Sequence, residues 1–156
     1  MSTLPRTLLF SSMFLLPCLQ AMAEDATQER IKAHHQERYQ QESLPIAVSA
    51  AQLWLHEVDA DQYAKAWDRA APLFQSQTSK AQWDVQMIRI RGLLGSVKLR
   101  KLASTSAKRQ LPGLPDGEYL VLLFATSFEH KARGSETVTL VRDKGGLWQA
   151  ASYVIR

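Results

Sequence analysis

The residues best suited to chemistry lie in the stretch HEVDAD, His56 to Asp61, which places one imidazole and three carboxylates within six positions. A carboxylate beside an imidazole can set its protonation near neutral pH, so His56 with Asp59 is a candidate general acid/base pair for a small substrate. The simpler reading makes Asp59 the cap of a following helix, with Glu57 and Asp61 solvated. The other histidines, His34, His35 and His130, offer no H-x-x-x-H or H-E-x-x-H spacing, so neither a metal nor a cofactor is expected. For a nucleophile there is no G-x-S-x-G, the serines of STS at Ser104 to Ser106 have no histidine near them in sequence, and the sole cysteine is Cys18.

A second group of residues suits binding. Trp54, Trp67, Trp83 and Trp148, with Tyr63, Tyr119 and Tyr153, could wall a cavity, although each also stands at a core-facing position of its own element. Arg89, Arg91 and Arg100 would favour an anion if they reached a cavity mouth. The ligand-binding candidates are therefore Asp59, Tyr63, Trp67, Arg91 and Arg100, with aromatics as walls and arginines as anion contacts. The glycines of LPGLPDGEYLVLLF, Leu111 to Phe124, precede a strand rather than a helix, so they read as turns and not as a phosphate loop.

The elements that must position these residues begin with an export leader. Residues 1–23 carry one cation at Arg6, an apolar centre from Leu8 to Leu19 and a small-residue A-x-A site, which predicts a signal peptide cut after Ala23. Cys18 lies inside it; lipidation there would have to follow Pro17, an unusual neighbour for such a site. Cleavage leaves 133 residues, enough for one core, without cysteine and therefore held by packing rather than disulfides. Lys and Arg then stand at 18 against 15 acidic residues, with no run of like charge, which argues against a nucleic-acid groove. No second apolar span of membrane length follows, and a periplasmic or secreted location is expected.

Residues 24–44 are polar and read as a tether or loose leading helix, and residues 45–156 as a single domain. Pro45 suits a helix start, and Ala47, Ala51, Trp54, Leu55 and Val58 give that helix one apolar stripe. DADQ, with Asp59 as cap and Gln62 at the box position, predicts a second helix carrying Tyr63, Ala66, Trp67 and Ala70 until Pro72 ends or kinks it. Ser79 with Gln82 predicts a third, with Trp83, Met87, Ile90 and Leu94 on one face and an end between Gly92 and Gly95. Alternation then takes over: a strand near Val97, a doubly apolar strand over Glu118 to Phe128 expected to be central and covered on both sides, a turn at HKARG, a strand over Ser135 to Arg142, a turn at DKGG and a final strand. The predicted class is α+β, with N-terminal helices packed on a curved antiparallel sheet of about four strands.

Several of these residues recur in a familiar order: W-L-x-x-V-D at Trp54 to Asp59, then Tyr63, Trp67 and Trp83, R-x-x-L-G at Arg91 to Gly95, P-x-x-P-D-G-x-Y at Pro112 to Tyr119, and Glu136, Trp148 and Tyr153. This pattern resembles the bacterial domain-of-unknown-function family 4019 over roughly Ala47 to Ile155. The resemblance implies a small exported protein and no assigned activity. The order of elements is also similar to the cone-shaped nuclear-transport-factor-2-like (cystatin-like) fold, whose sheet leaves a pocket used for catalysis in some relatives and for binding in many. The functional expectation is an exported domain binding a small ligand or an envelope protein without catalysis. Its alternatives are an enzyme using His56 and Asp59, and an assembly subunit pairing through a sheet edge, with a homodimer possible.

Overall fold

A computed structural model describes the backbone of residues 16–156 and the side chains of residues 24–38 and 41–156. Most of the expected leader, residues 1–15, lies outside the described residues, and its expected cut after Ala23 falls within a helix. The chain divides into two compact units, residues 1–42 and 43–156. The described part of the first is helix α1, Leu16–Arg38, exposed from Glu24 to Arg38. A π-helical stretch, Tyr39–Ser43, follows it.

The second unit is α+β, as expected. It has helices α2 (Leu44–Asp59), α3 (Tyr63–Arg69), α4 (Pro72–Gln77) and α5 (Lys80–Leu94), then strands β1 (Val97–Lys108), β2 (Tyr119–Phe128), β3 (Lys131–Arg142) and β4 (Trp148–Ile155). The strands form one antiparallel sheet in the order β1-β2-β3-β4. Helix α2 carries Pro45 in its first turn and buries Ala47, Ala51, Trp54, Leu55 and Val58, the stripe its spacing predicts.

Its end departs from expectation. DADQ does not cap α3; it closes α2. The Asp61 amide donates to the Val58 carbonyl at 3.2 Å and the Gln62 amide to the Glu57 carbonyl at 2.9 Å, while Asp61 takes a φ of 56°. This is a Schellman closure, in which aspartate occupies the left-handed position more often given to glycine. Helix α3 begins at Tyr63 without a side-chain cap, so Asp59 is free for other partners.

Pro72 opens α4 rather than only ending α3, because Ala71 before it is extended and proline suits a first helical turn. Helix α5 carries the predicted capping box: Ser79 accepts from the Gln82 amide and the Gln82 side chain accepts from the Ser79 amide. Its buried stripe is Trp83, Met87 and Arg91, whereas Ile90 is 39 % exposed. A guanidinium thus occupies the position expected of an aliphatic side chain.

Strand β1 runs on through the Ser/Thr-rich stretch to Lys108, and β3 already begins at Lys131, leaving only Glu129 and His130 in the hairpin turn. Strand β2 is internal, but one of its faces is covered only at its start, where Tyr119 is buried. Leu120, Leu122, Phe124 and Phe128 are buried under the helices, whereas Leu123 and Ala125 are exposed. Helices pack on a single face, and Leu123 stands among its register partners Ser104 and Thr137 on the other. Before β2, the Leu114 amide donates to the Leu111 carbonyl at 3.1 Å across Pro112-Gly113, and Gly113 takes a φ of 75°, the type II turn predicted.

The core holds an aromatic cluster. Trp54 lies 5.8 Å from Trp83 and 5.3 Å from Tyr153, and Phe74 lies 5.1 Å from Trp83, mostly edge to face. The indole N–H groups of Trp54 and Trp83 donate to the Ala66 and Tyr63 carbonyls at 2.8 and 2.9 Å, which fastens α3 to both neighbouring helices. A buried indole without such a partner would be costly, and here each donor is satisfied.

Candidate functional site: a cleft backed by a buried charge cluster

Two arginines and two acids that are far apart in sequence meet beneath the helices. Glu136 alternates with Val138 and Leu140 on the inner face of β3 and is 0 % exposed. It accepts from Arg100 Nε at 2.6 Å, Arg100 Nη2 at 2.9 Å, the Thr126 hydroxyl at 2.6 Å and the Tyr153 phenol at 2.5 Å. Arg100 uses its other edge on Asp59, with Nη1 at 2.6 Å from Oδ2 and Nη2 at 2.9 Å from Oδ1. Arg91 Nη2 donates to the same Asp59 oxygen at 2.9 Å, and its guanidinium lies 5.3 Å from the Phe128 ring centre. Two guanidiniums and two carboxylates form a neutral cluster that ties α2, α5, β1 and β3 together.

The protonation states follow from this arrangement. Burial opposes the Arg100 charge, but hydrogen bonds to Asp59 and Glu136 outweigh it and raise the group above its ordinary value. Burial, then the Glu136 charge, pushes the Tyr153 phenol well up, so it remains a donor.

In front of this cluster lies a cleft of about 590 Å³. Asp59 contributes from the end of α2, Asp61 and Gln62 from the Schellman turn, and Tyr63 and Ala64 from the start of α3. The opposite wall is α5, with Asp84, Ile88, Arg91 and Gly92, closed by Gly95 and Ser96. The Tyr63 phenol donates to Asp61 at 2.5 Å and is pushed up to about 12, by burial first and then by Asp61. Two atoms of cleft-lining residues are shut from solvent without a hydrogen-bond partner: Asp84 Oδ1, and Arg91 Nη1, which stands 4.0 Å from Glu136. At the rim, the Ser96 hydroxyl and amide donate to Glu129 and hold its carboxyl below the usual range.

Of the five ligand-binding candidates, the cleft gathers Asp59, Tyr63 and Arg91. Arg100 is behind Asp59, in the cluster. Trp67 does not line the cleft; its indole donates to the Thr78 carbonyl at 2.8 Å and Lys80 sits 5.9 Å from its ring centre. His56 is exposed and does not line the cleft, and its side chain makes no hydrogen bond or ion pair with Asp59 or another described residue. Neither arginine offers a free charge to an anion, since both already hold carboxylates. Among the described residues no cluster of histidine, cysteine and carboxylates could hold a metal ion. No described helix is long and apolar enough to cross a membrane.

Sequence reasoning passed over Glu136 and Asp84 as site residues, and read Asp61, within HEVDAD, as most simply solvated. Glu136 did carry a signal: a charge on the apolar side of the alternation Glu136, Val138, Leu140 needs a buried cation. Asp84 carried none, since its role depends on which helix faces which.

Fold and site together define a small α+β domain whose helices cover one face of a four-stranded sheet and leave a polar cleft between α2, α3 and α5. Residues 50–153 match the family described as "Protein of unknown function (DUF4019)", and the chain belongs to that family. Neither the curated proteins nor the solved structures contain a significant match.

Proposed function

We propose that this is an exported domain that binds a small ligand in the cleft between α2, α3 and α5 and performs no catalysis on it. The observation that carries this reading is the 590 Å³ cleft itself, into which α2, the Schellman turn, α3 and α5 bring Asp59, Asp61, Tyr63, Asp84 and Arg91. A concave space with a few convergent polar groups is the usual form of a small-molecule site. Against catalysis stands the state of the candidate pair. Asp59 is held by two guanidiniums and the His56 side chain makes no hydrogen bond or ion pair with it, so neither is poised to move a proton for the other.

Export rests on the leader-like composition of residues 1–23. The sheet-edge reading is less favoured, because edge strand β1 carries Lys98, Lys101 and Lys108 and two register irregularities, both of which discourage pairing with another chain.

The test is a screen of chemically varied small molecules, anionic, neutral and cationic, by amide NMR. Hits are expected to move the amides of Asp61 to Ala64 and of Asp84 to Ser96. Hits that map only elsewhere, or none at all, overturn the proposal. For export, fractionated cells should yield a periplasmic or secreted product beginning at Glu24; a cytoplasmic chain retaining residues 1–23 would refute it.

A further inference from the structure

Large aliphatic side chains of α5 stand in solvent at Val85, Ile88, Ile90 and Leu93. The inner side of the helix is the stripe of Trp83, Met87 and Arg91. On the side turned away from it, Ala81, Val85, Ile88 and Gly92 follow one another at intervals of four, three and four, which at 3.6 residues per turn sets them in one line. All four are exposed, Val85 by 67 % and Ile88 by 63 %, and the line carries no charge. Apolar residues at such intervals are the seam that one helix offers to another.

Gly92 is an independent observation. A glycine inside a helix weakens it. Gly92 has helical backbone, and a Cβ at that position would meet no atom of the fold within 4 Å. Nothing within the chain needs the glycine, whereas a second helix crossing there does, because without a Cβ the two backbones can approach closely. Ile88 and Gly92 also belong to the cleft wall, but Ala81 and Val85 do not, so the seam runs beyond the cleft.

The order of the residues indicates which helix fits. The seam reads the same in both directions: small, large, large, small. Laid antiparallel on an identical helix, about a two-fold axis between Val85 and Ile88, it sets Val85 of each chain against Ile88 of the other and Ala81 of each against Gly92 of the other. Large residues then meet at the centre and small ones let the ends close. The chain's own leading helix has no such seam, since Glu24 to Arg38 contains one large aliphatic residue, Ile31. We infer that α5 pairs antiparallel with the α5 of a second copy along Ala81, Val85, Ile88 and Gly92. A seam of about three turns lies at the small end of interface sizes, so the dimer is weak and concentration-dependent.

The experiment is sedimentation equilibrium of the protein purified from the cell fraction where it accumulates, over about 10 µM to 1 mM, the span in which a small interface dissociates. A monomer–dimer equilibrium is expected, with amide shifts on dilution centred on Ala81 to Gly92. Val85→Lys should weaken it at least about tenfold, since the two-fold axis places the change in the interface twice. Val85 is exposed and outside the cleft, so this variant disturbs neither the core nor the cleft. Gly92→Ala should weaken association several-fold and yet raise the urea midpoint of the chain at micromolar concentration, where it is monomeric. Leu123→Lys, on the sheet face that the helices leave open, should leave the dimer unchanged.

A monomer at every concentration overturns the inference, as does a dimer that Val85→Lys leaves intact or that Leu123→Lys dissociates. Gly92→Ala that stabilises the chain without weakening the dimer overturns the close crossing at Gly92. None of these results bears on the cleft as a small-molecule site, which its own screen tests.

Discussion

Replacing Glu136 with glutamine tests the charge cluster most directly, since it removes one charge at nearly constant volume. The carboxylate accepts four hydrogen bonds, two from Arg100 and one each from Thr126 and Tyr153. Glutamine offers one oxygen and one NH2. Whichever way the amide turns, its NH2 faces one N–H of Arg100, because Arg100 donates to both carboxylate oxygens. A lost hydrogen bond to a charged group is worth about 1.5–3 kcal/mol. Removing one partner of a buried pair costs about 3–5 kcal/mol. Arg100 keeps its bidentate bond to Asp59, which places Glu136→Gln at the low end of that range, about 3 kcal/mol.

The assay is urea unfolding followed by tryptophan fluorescence, which reports on Trp54 and Trp83 beside Tyr153. The midpoint should fall with an unchanged slope, and the melting temperature should drop by roughly 12 °C for a domain of this size. The double variant Arg100→Met, Glu136→Gln leaves Asp59 and Arg91 as a balanced pair, so it should be more stable than the sum of the two single losses by over about 1 kcal/mol. A single-variant loss under about 1 kcal/mol, or strict additivity in the double, would refute the reasoning that these charges act as one unit.

Glycine substitutions should divide sharply. Gly95 has a φ of 72° and an added Cβ would meet Glu129 Cβ at 2.8 Å, so Gly95→Ala should destabilise by about 2–3 kcal/mol in the same assay. Gly92 lies within α5 with open space around it, so Gly92→Ala should stabilise by up to about 1 kcal/mol. At high pH the tyrosines should lower stability. Tyr63 is pushed up to about 12 and Tyr153 also lies above its ordinary value, whereas unfolded phenols ionise near 10. The folded chain then holds protons that the unfolded chain gives up. Stability is intact below about pH 10 and falls as pH climbs to about 12. Phenolate absorbance measured alongside unfolding checks this; all phenols of the folded protein ionising near pH 10 would contradict it. His56→Ala should change stability by no more than about 0.5 kcal/mol and leave cleft binding unaltered, as measured by urea unfolding and amide NMR.

What could be read from the sequence was what local rules govern. The α2 stripe, the Ser79–Gln82 capping box, the Pro112-Gly113 turn and the internal position of β2 each follow from residues within a few positions of one another. Where two local rules compete, the sequence leaves the choice open. Asp59 fits an N-cap pattern, but the left-handed Asp61 makes the same residues a helix end. Pro72 serves as a stop and as a start, and only the extended Ala71 decides that α4 follows. The cluster was least legible because its bonds span 32 to 41 residues between Asp59 or Glu136 and the arginines. Arg91 was a candidate, yet its place on the α5 stripe was assigned to Ile90, because a charged residue fits an apolar stripe only where a carboxylate awaits it.

A buried charge cluster is not the cheapest way to fill a core, since apolar residues of similar volume often serve as well or better. Three of its four members are also poorly placed by the rules of their own elements. Asp59 lies at the negative end of the α2 dipole, Arg91 on the buried stripe of α5, and Glu136 among the aliphatics of β3. Only their mutual contact makes these positions tolerable, so the cluster forms when α2, α5, β1 and β3 are all in place and not before. That makes it a device of arrangement more than of stability. It fixes the end of α2 against α5, and those two elements carry Asp59 and Asp61 on one wall of the cleft and Asp84 and Arg91 on the other. Because the cluster neutralises itself, the field in the cleft is left to Asp61 and Asp84, and the wall can be rigid without setting the sign of what binds.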